Sequence, residues 1–290
     1  MQRHVLQIGL GLFLSGGISV VAYRRKALSK SGVVGAMLTG TTIFGLGGWV
    51  WGMVLITFFV LSSLLSSYKT STKHILSEKF AKGSRRDLGQ ALANGGAGAL
   101  LILLHAFFFP YPWVLVAFVG AMATVNADTW ATELGVLSPI PPRLITTGER
   151  VPPGTSGGVS VLGTLATLAG AAAIGLAAAL FVTLGEMLGG GYKGLLSDLS
   201  VNLSLPQLGL VPVAALGGMV GSLFDSLLGA TVQAIYYSPT RHKETEKTID
   251  PDGTPNQHIR GWPWLTNDWV NFISSLVGAG VSAIVWCVFT

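Results

Sequence analysis

The 290-residue chain is 50% hydrophobic and only 11% charged, where soluble domains average about 25% charged residues. That composition excludes a disordered chain and most soluble folds, and its 39 Gly follow no fixed period, which excludes collagen-like and low-complexity readings. A single cysteine, Cys287, can form neither an internal disulfide nor a zinc site. The net charge of +5 would suit nucleic acid, so the position of the charges has to decide its meaning.

A bilayer core about 30 Å thick needs roughly 20 apolar residues of helix. Spans are expected near 5–23, 33–47, 49–67, 90–109, 113–135, 159–185, 207–236 and 269–289. The apolar stretch 33–67 is too long for one span and breaks at Gly45-Leu46-Gly47-Gly48, while Pro110-Tyr111-Pro112 gives a second tight turn. The first span reads as a retained anchor rather than a signal peptide, because its strong basic cluster follows the apolar run and no small-residue cleavage pattern is present. With eight spans and the N-terminus outside, sixteen of the 18 Lys and Arg fall in the loops 24–32, 68–88, 136–158 and 237–268, leaving Arg3 and Lys193 opposite. The basic side is then cytoplasmic, or stromal in a plastid. Charge therefore reports topology and implies no nucleic-acid partner. The expected architecture is all-α: one integral membrane domain over 1–290, a polytopic bundle of 7 to 8 helices.

Carboxylates inside hydrocarbon are costly and are by default candidates for function. Asp128 and Glu133 lie near the end of the fifth span, in Asn126-Ala127-Asp128-Thr129-Trp130-Ala131-Thr132-Glu133. Asp225 lies late in the seventh, in Gly221-Ser222-Leu223-Phe224-Asp225-Ser226-Leu227-Leu228-Gly229. Both segments run toward the basic side, so the three acids converge there. Residues five apart are about 140° around a helix, so Asp128 and Glu133 cannot both face one ligand squarely unless the helix is distorted or their roles differ. Small residues at three- and four-residue steps around Asp225 point it at protein rather than lipid. The plainer alternative is that these acids pair with Arg or backbone and only hold helices together.

The fifth and sixth spans are joined by a loop carrying Arg143 and Arg150, then Pro152-Pro153-Gly154-Thr155-Ser156-Gly157-Gly158. Free N–H groups, hydroxyls and the positive end of a helix dipole suit a phosphate, although Thr155 or Ser156 would equally cap the helix. It is not a Walker A loop, since no Gly-Lys-Ser/Thr follows. In the last polar loop His258 and Arg260 are candidate phosphate contacts, and Asn271 would need a partner inside the boundary. There Asn267 or Asp268 could instead serve as a cap, with the Trp residues forming an interfacial belt. The run Lys243-Glu244-Thr245-Glu246-Lys247 reads as a solvated loop.

Four motifs in order, Asn126 to Gly135, Gly154 to Ser160, Asp225 to Gln233, and His258 with Asn267, Asp268 and Asn271, resemble one integral membrane family over roughly 30–285. It is the family of transmembrane protein 19 of animals and of the phytyl-phosphate kinase of the vitamin E (tocopherol) pathway in plants and cyanobacteria. It is similar, more distantly, to CTP-dependent polyprenol kinases and phosphatidate cytidylyltransferases. The resemblance implies a kinase that transfers a phosphoryl group from a nucleoside triphosphate, CTP, to an isoprenyl monophosphate such as phytyl or geranylgeranyl phosphate, giving the diphosphate. It implies Mg²⁺ held by Asp128 and Asp225, with Glu133 as third ligand or orienting group. It also implies a nucleotide-phosphate cradle at Thr155, Ser156, Gly157 and Gly158, with Asn126, Ser226, His258 and Asn271 nearby and Arg143, Arg150 or Arg260 offsetting charge. The competing class is a membrane transporter of an anionic lipid or solute that uses the same acids for coupling.

Overall fold

A computed structural model describes residues 2–68, 85–188 and 207–290. Its long helices are α1 (Gln2–Arg24), α2 (Lys30–Gly47), α3 (Trp49–Ser67), α4 (Leu88–Phe107), α5 (Pro112–Gly135), α6 (Val161–Met187), α7 (Leu210–Thr231) and α8 (Asn267–Phe289). Each matches one expected span. Lys69, Lys73, Lys79, Lys82 and Lys193, which enter the charge count, lie outside the described residues. Seven of these helices are long and apolar enough to cross a membrane. The remaining helix, α2, is diluted by Lys30, Ser31 and Thr residues. It lies between α1 and α4, where its glycines let neighbours approach: Gly45 meets Ile8, and Gly35 meets Ala91 and Leu88.

Helix ends follow local chemistry. Ser29 Oγ accepts from Gly32 N at 3.0 Å to start α2. Asp87 and Gln90 form a reciprocal capping box at α4, and Ser160 Oγ accepts from Gly163 N at 3.1 Å at α6. Pro112 occupies the first turn of α5. Between α2 and α3 stands only Gly48, whose φ of 82° lies in the left-handed region that glycine adopts without strain.

The core forms around α5, which is buried continuously from Val114 to Ala127. A helix apolar on every side belongs in the interior, and α5 packs against α3, α4, α6, α7 and α8. Three of these helices meet through small residues. A Cβ on Gly221 would strike Thr124, one on Gly218 would strike Ala123 and Ala171, and one on Gly278 would strike Thr124 and Gly217 O. Thr124 Oγ1 donates to Gly120 O at 2.9 Å, which satisfies its hydroxyl inside the seam. Large apolar side chains such as Phe13, Leu165, Leu176, Ile284 and Val288 are left on the outer faces, as a lipid-facing surface requires.

One end of the bundle gathers the polar connections. Arg86 N donates to Ala27 O at 3.0 Å and its guanidinium to Ser63 Oγ at 3.1 Å, so the α1–α2 joint, the end of α3 and the start of α4 are neighbours. Two small antiparallel sheets sit at this end. One pairs β1 (Arg143–Leu144) with β2 (Gly158–Val159). The other has the order β4-β3-β5, from β3 (Ile235–Ser238), β4 (Lys243–Thr245) and β5 (Gln257–Arg260). The expected seventh span, 207–236, is thereby corrected: α7 stops at Thr231 and the apolar run continues into β3. An unbroken apolar run does not reveal where helix gives way to buried strand.

The packing predicts that Gly278→Val destabilises the bundle by roughly 1–3 kcal/mol through overpacking. Gly280→Ala, whose Cβ meets nothing within 4 Å, should not. Thermal unfolding in detergent checks both. Tags on the two termini should be accessible from the side opposite a tag placed in 237–268.

Candidate active site

A cavity of about 3010 Å³, including its open mouth, occupies the polar end and is lined from α4, α5, α6, α7, α8 and the two sheet-bearing connections. Its enclosed part, about 870 Å³, is at the upper end of the roughly 300–1,000 Å³ typical of a ligand site. Its floor is set by helix register. Thr124 on α5 packs on Gly221 of α7, and the residues one turn later on each helix are Asp128 and Asp225. Because α5 and α7 run parallel, one packed pair brings the next pair together at the cavity. The Asp128 and Asp225 charges act on each other, and Ser274 of α8 lies beside Asp225 with its hydroxyl outside strict hydrogen-bond geometry.

A third acid faces the two aspartates, and it is Glu246, just beyond β4. Ser156 Oγ donates to Glu246 Oε1 at 2.9 Å and Gln233 Nε2 donates to the same oxygen at 2.8 Å. The segment read as a solvated loop therefore covers the cavity. It is pinned from behind by Asp250, which accepts from the hydroxyls of Ser238 and Thr240 and lies 3.6 Å from Arg241. The hydroxyls of Ser238 and Thr240, then Asn256 and Arg241, hold the Asp250 carboxyl below the usual carboxylate range. A carboxyl lowered on folding stabilises the charged state above its ordinary value and loses that contribution as pH falls through the lowered one. The hairpin is thus fully held at neutral pH.

Glu133 also lines the cavity but faces Arg86 rather than the acid group, which fits the 140° that separates it from Asp128. Arg86 stacks on Phe58 and Phe59, with its guanidinium carbon 5.6 and 5.4 Å from the ring centres. Burial lowers its pKa to about 10 while Glu133 pulls it back up, so it is cationic at neutral pH. Lys247 is a second cation on the wall among the described residues.

The Gly-rich turn forms the rim next to Glu246. Thr155, Ser156, Gly157 and Gly158 all line the cavity. Gly157 has a φ of 83° and a Cβ there would strike the Ala230 backbone, so the turn is pressed onto the end of α7. Ser160, not Thr155 or Ser156, caps α6; Thr155 Oγ1 donates to Pro152 O at 2.7 Å. Ser226 and Asn271 lie on the same wall.

Five residues expected at the site lie elsewhere. Asn126 is fully buried and ties helices together, donating to Gly170 O at 2.8 Å and accepting from Ser62 Oγ at 3.3 Å. Arg143 donates to Gly148 O at 2.7 Å within its own exposed turn, and Arg150 is exposed across from it. Arg260 donates to Ala230 O and closes the end of α7. His258 packs edge-on against Tyr236 on the outer strand β5. Arg86 and Lys247 supply cavity charge where Arg143, Arg150 and Arg260 were expected. Sequence reading missed Arg86, which lies just before the cap of α4, with Gln90 and Asn94 following at four-residue steps.

Among the described residues no group of three His, Cys, Asp or Glu is gathered tightly enough to cage a metal ion. Mg²⁺ rarely uses such a cage; it is held by one or two carboxylates together with substrate phosphates and water. Asp128 and Asp225, with Glu246 adding charge, fit that donor set.

The family model described as integral membrane protein DUF92 matches residues 13–279, and the chain belongs to that family. It is 33% identical to Protein PGR of Arabidopsis thaliana over 94% of both chains. It is 29% identical to an uncharacterized membrane protein of Methanocaldococcus jannaschii, over 93% of this chain and 90% of that one. Protein VTE6, chloroplastic, of Arabidopsis thaliana is 25% identical over 89% of this chain and 65% of its own length. No solved structure matches. The protein is thus an integral membrane protein of a family found in plants and archaea.

Two substitutions test how the rim is built. Asp250→Ala should free the hairpin, and Gly157→Ala should displace the turn through both its φ and its contact with Ala230. Limited proteolysis should cut 239–249 faster in the first variant and 152–158 faster in the second. Unchanged cleavage would mean that neither contact holds its segment.

Proposed function

We propose that the protein is a kinase that passes the terminal phosphoryl group of a nucleoside triphosphate, CTP, to an isoprenyl monophosphate such as phytyl or geranylgeranyl phosphate. The single observation that carries this reading is that Asp128, Asp225 and Glu246 line one open cavity together with a Gly-Thr-Ser turn, at the polar end of a membrane bundle. A cluster of carboxylates beside a phosphate-type cradle suits a nucleotide carried with a divalent cation. Likeness to Protein VTE6 and the motif resemblance to phytyl-phosphate kinases support the same substrate class.

Phosphoryl transfer needs in-line positioning and charge neutralisation more than covalent help from the protein. Bound Mg²⁺ would supply Lewis-acid neutralisation of phosphate charge, held by Asp128 and Asp225. The turn from Thr155 to Gly158 would orient the nucleotide phosphates through backbone N–H groups and hydroxyls. Arg86 and Lys247 would offset charge on the acceptor side. An oxygen of the acceptor phosphate attacks the terminal phosphorus, the bond to the bridging oxygen breaks, and the nucleoside diphosphate leaves with that electron pair. A phosphate acceptor is already ionised near neutral pH, its second pKa being about 6. It therefore needs no general base, whereas an alcohol would.

Purified protein given CTP, Mg²⁺ and a panel of phytyl, geranylgeranyl and farnesyl monophosphates should yield at least one diphosphate. Asp128→Asn and Asp225→Asn should each cut turnover by about 10²-fold or more, in line with loss of a transition-state electrostatic contact, while insertion and thermal midpoint stay intact. Glu246→Gln should raise the Mg²⁺ requirement. Equal phosphorylation of the free alcohols would move the enzyme one step earlier in prenyl activation. No product with any nucleotide would bring the transporter reading forward.

A further inference from the structure

A second cavity adjoins the first and is of opposite character. It is a narrow, half-open groove, with about 80 Å³ accessible to the centre of a water-sized sphere, between α1, α2, α3 and α4, and its largely apolar wall includes Leu14, Ile18, Ala36, Leu55, Ile56 and Phe59. The single-residue joint at Gly48 creates it. Phe44 of α2 touches Gly52 of α3 beside that joint, closing the groove at its deep end. At the other end Arg86 bridges the two helices, with its backbone on Ala27 and Ser29 and its guanidinium on Ser63. Three residues belong to the walls of both cavities: Arg86, Gln90 and Asn94. Gln90 and Asn94 are one turn apart on α4 and Arg86 lies just before its cap, so the polar chamber and the apolar groove share a boundary made of polar side chains and one cation.

Resting on the kinase reading, we propose that this groove is the acceptor subsite: it seats the hydrocarbon chain of the isoprenyl phosphate, and Arg86 at the boundary receives its phosphate. Charge complementarity selects the occupant. An amphiphile with an anionic head and a single apolar tail satisfies both cavities at once, with its head turned toward the acid-lined chamber and its tail away from it. A soluble anion would leave the groove empty, and a neutral lipid would leave Arg86 without a counter-charge beyond Glu133. A chain already dissolved in lipid gains little from leaving it. The groove therefore selects by length and shape, its stop being the Phe44–Gly52 contact.

The test uses wild-type protein and a geranylgeranyl monophosphate bearing a diazirine on its terminal isoprene unit. Photolabelling followed by peptide mapping should mark α1, α2 or α3 along the groove. The label should be displaced by unlabelled geranylgeranyl monophosphate and not by the same amount of phosphatidylglycerol. Label on α6, α7 or α8, or equal displacement by phosphatidylglycerol, overturns the proposal. Ala36→Phe, which fills the groove midway, should raise KM for geranylgeranyl monophosphate about tenfold more than for dimethylallyl monophosphate. Equal losses for both acceptors also count against it. The two readings fail separately. Groove labelling without transfer by the wild type removes the kinase and keeps the lipid site; transfer with labelling elsewhere does the reverse.

Discussion

Everything at the polar end depends on how closely α5 and α7 approach. Gly218 and Gly221 present no side chain to α5, so Ala123 and Thr124 rest against backbone. In a membrane the hydrophobic effect does not hold helices together, because lipid is as apolar as leucine; close packing of small residues does. That contact sets a parallel register, and one turn further along it brings Asp128 and Asp225 side by side. Gly229 then meets Gly157, which fixes the Gly-rich turn to the same helix. A wider separation would leave the two carboxylates unable to share one ligand and would lift the turn away.

Two groups of charge face the chamber from different sides, beside Lys247 and Asp268 on its wall. Asp128, Asp225 and Glu246 repel one another, and a cation brought by a substrate relieves that repulsion. Glu133 and Arg86 form a separate pair next to the apolar groove. In the proposed kinase the two groups would answer to two ligands of opposite need, one carrying a divalent cation and one carrying bare negative charge. Helical geometry enforces the division, since Asp128 and Glu133 project in directions about 140° apart.

How much of this was legible in the sequence varies with the kind of signal. Long apolar runs located the helices, and the break at Gly48 was readable because glycine is cheap at positive φ. The end of α7 was not, because Val232, Ala234 and Ile235 extend its apolar pattern, yet the chain turns there and enters strand at Ile235. Among the acids, Asp128 and Asp225 stood out because a carboxylate in a span is costly. Glu246 did not, since a glutamate between lysines in a polar loop is ordinary; only the hairpin pairing of β3 with β4 turns it over the cavity. Arg143, Arg150 and Arg260 were chosen for charge near the motif, but each is spent on, or exposed beside, its own turn or helix end. Asn126 was chosen as a polar group in the motif, and its partners are backbone and a serine of neighbouring helices.

The central claim is that the acid group and the Gly-rich turn form one site for a nucleotide carried with Mg²⁺. It is tested most directly by thermal unfolding of the purified protein with CTP, with Mg²⁺, and with both. Ligand binding stabilises the native state by about 2.7 kcal/mol at a hundredfold excess over Kd, which is a readable shift in midpoint. The account predicts a shift with the two together that clearly exceeds the sum of the separate shifts. A CTP shift that is the same with and without Mg²⁺, or no shift under any condition, would contradict it.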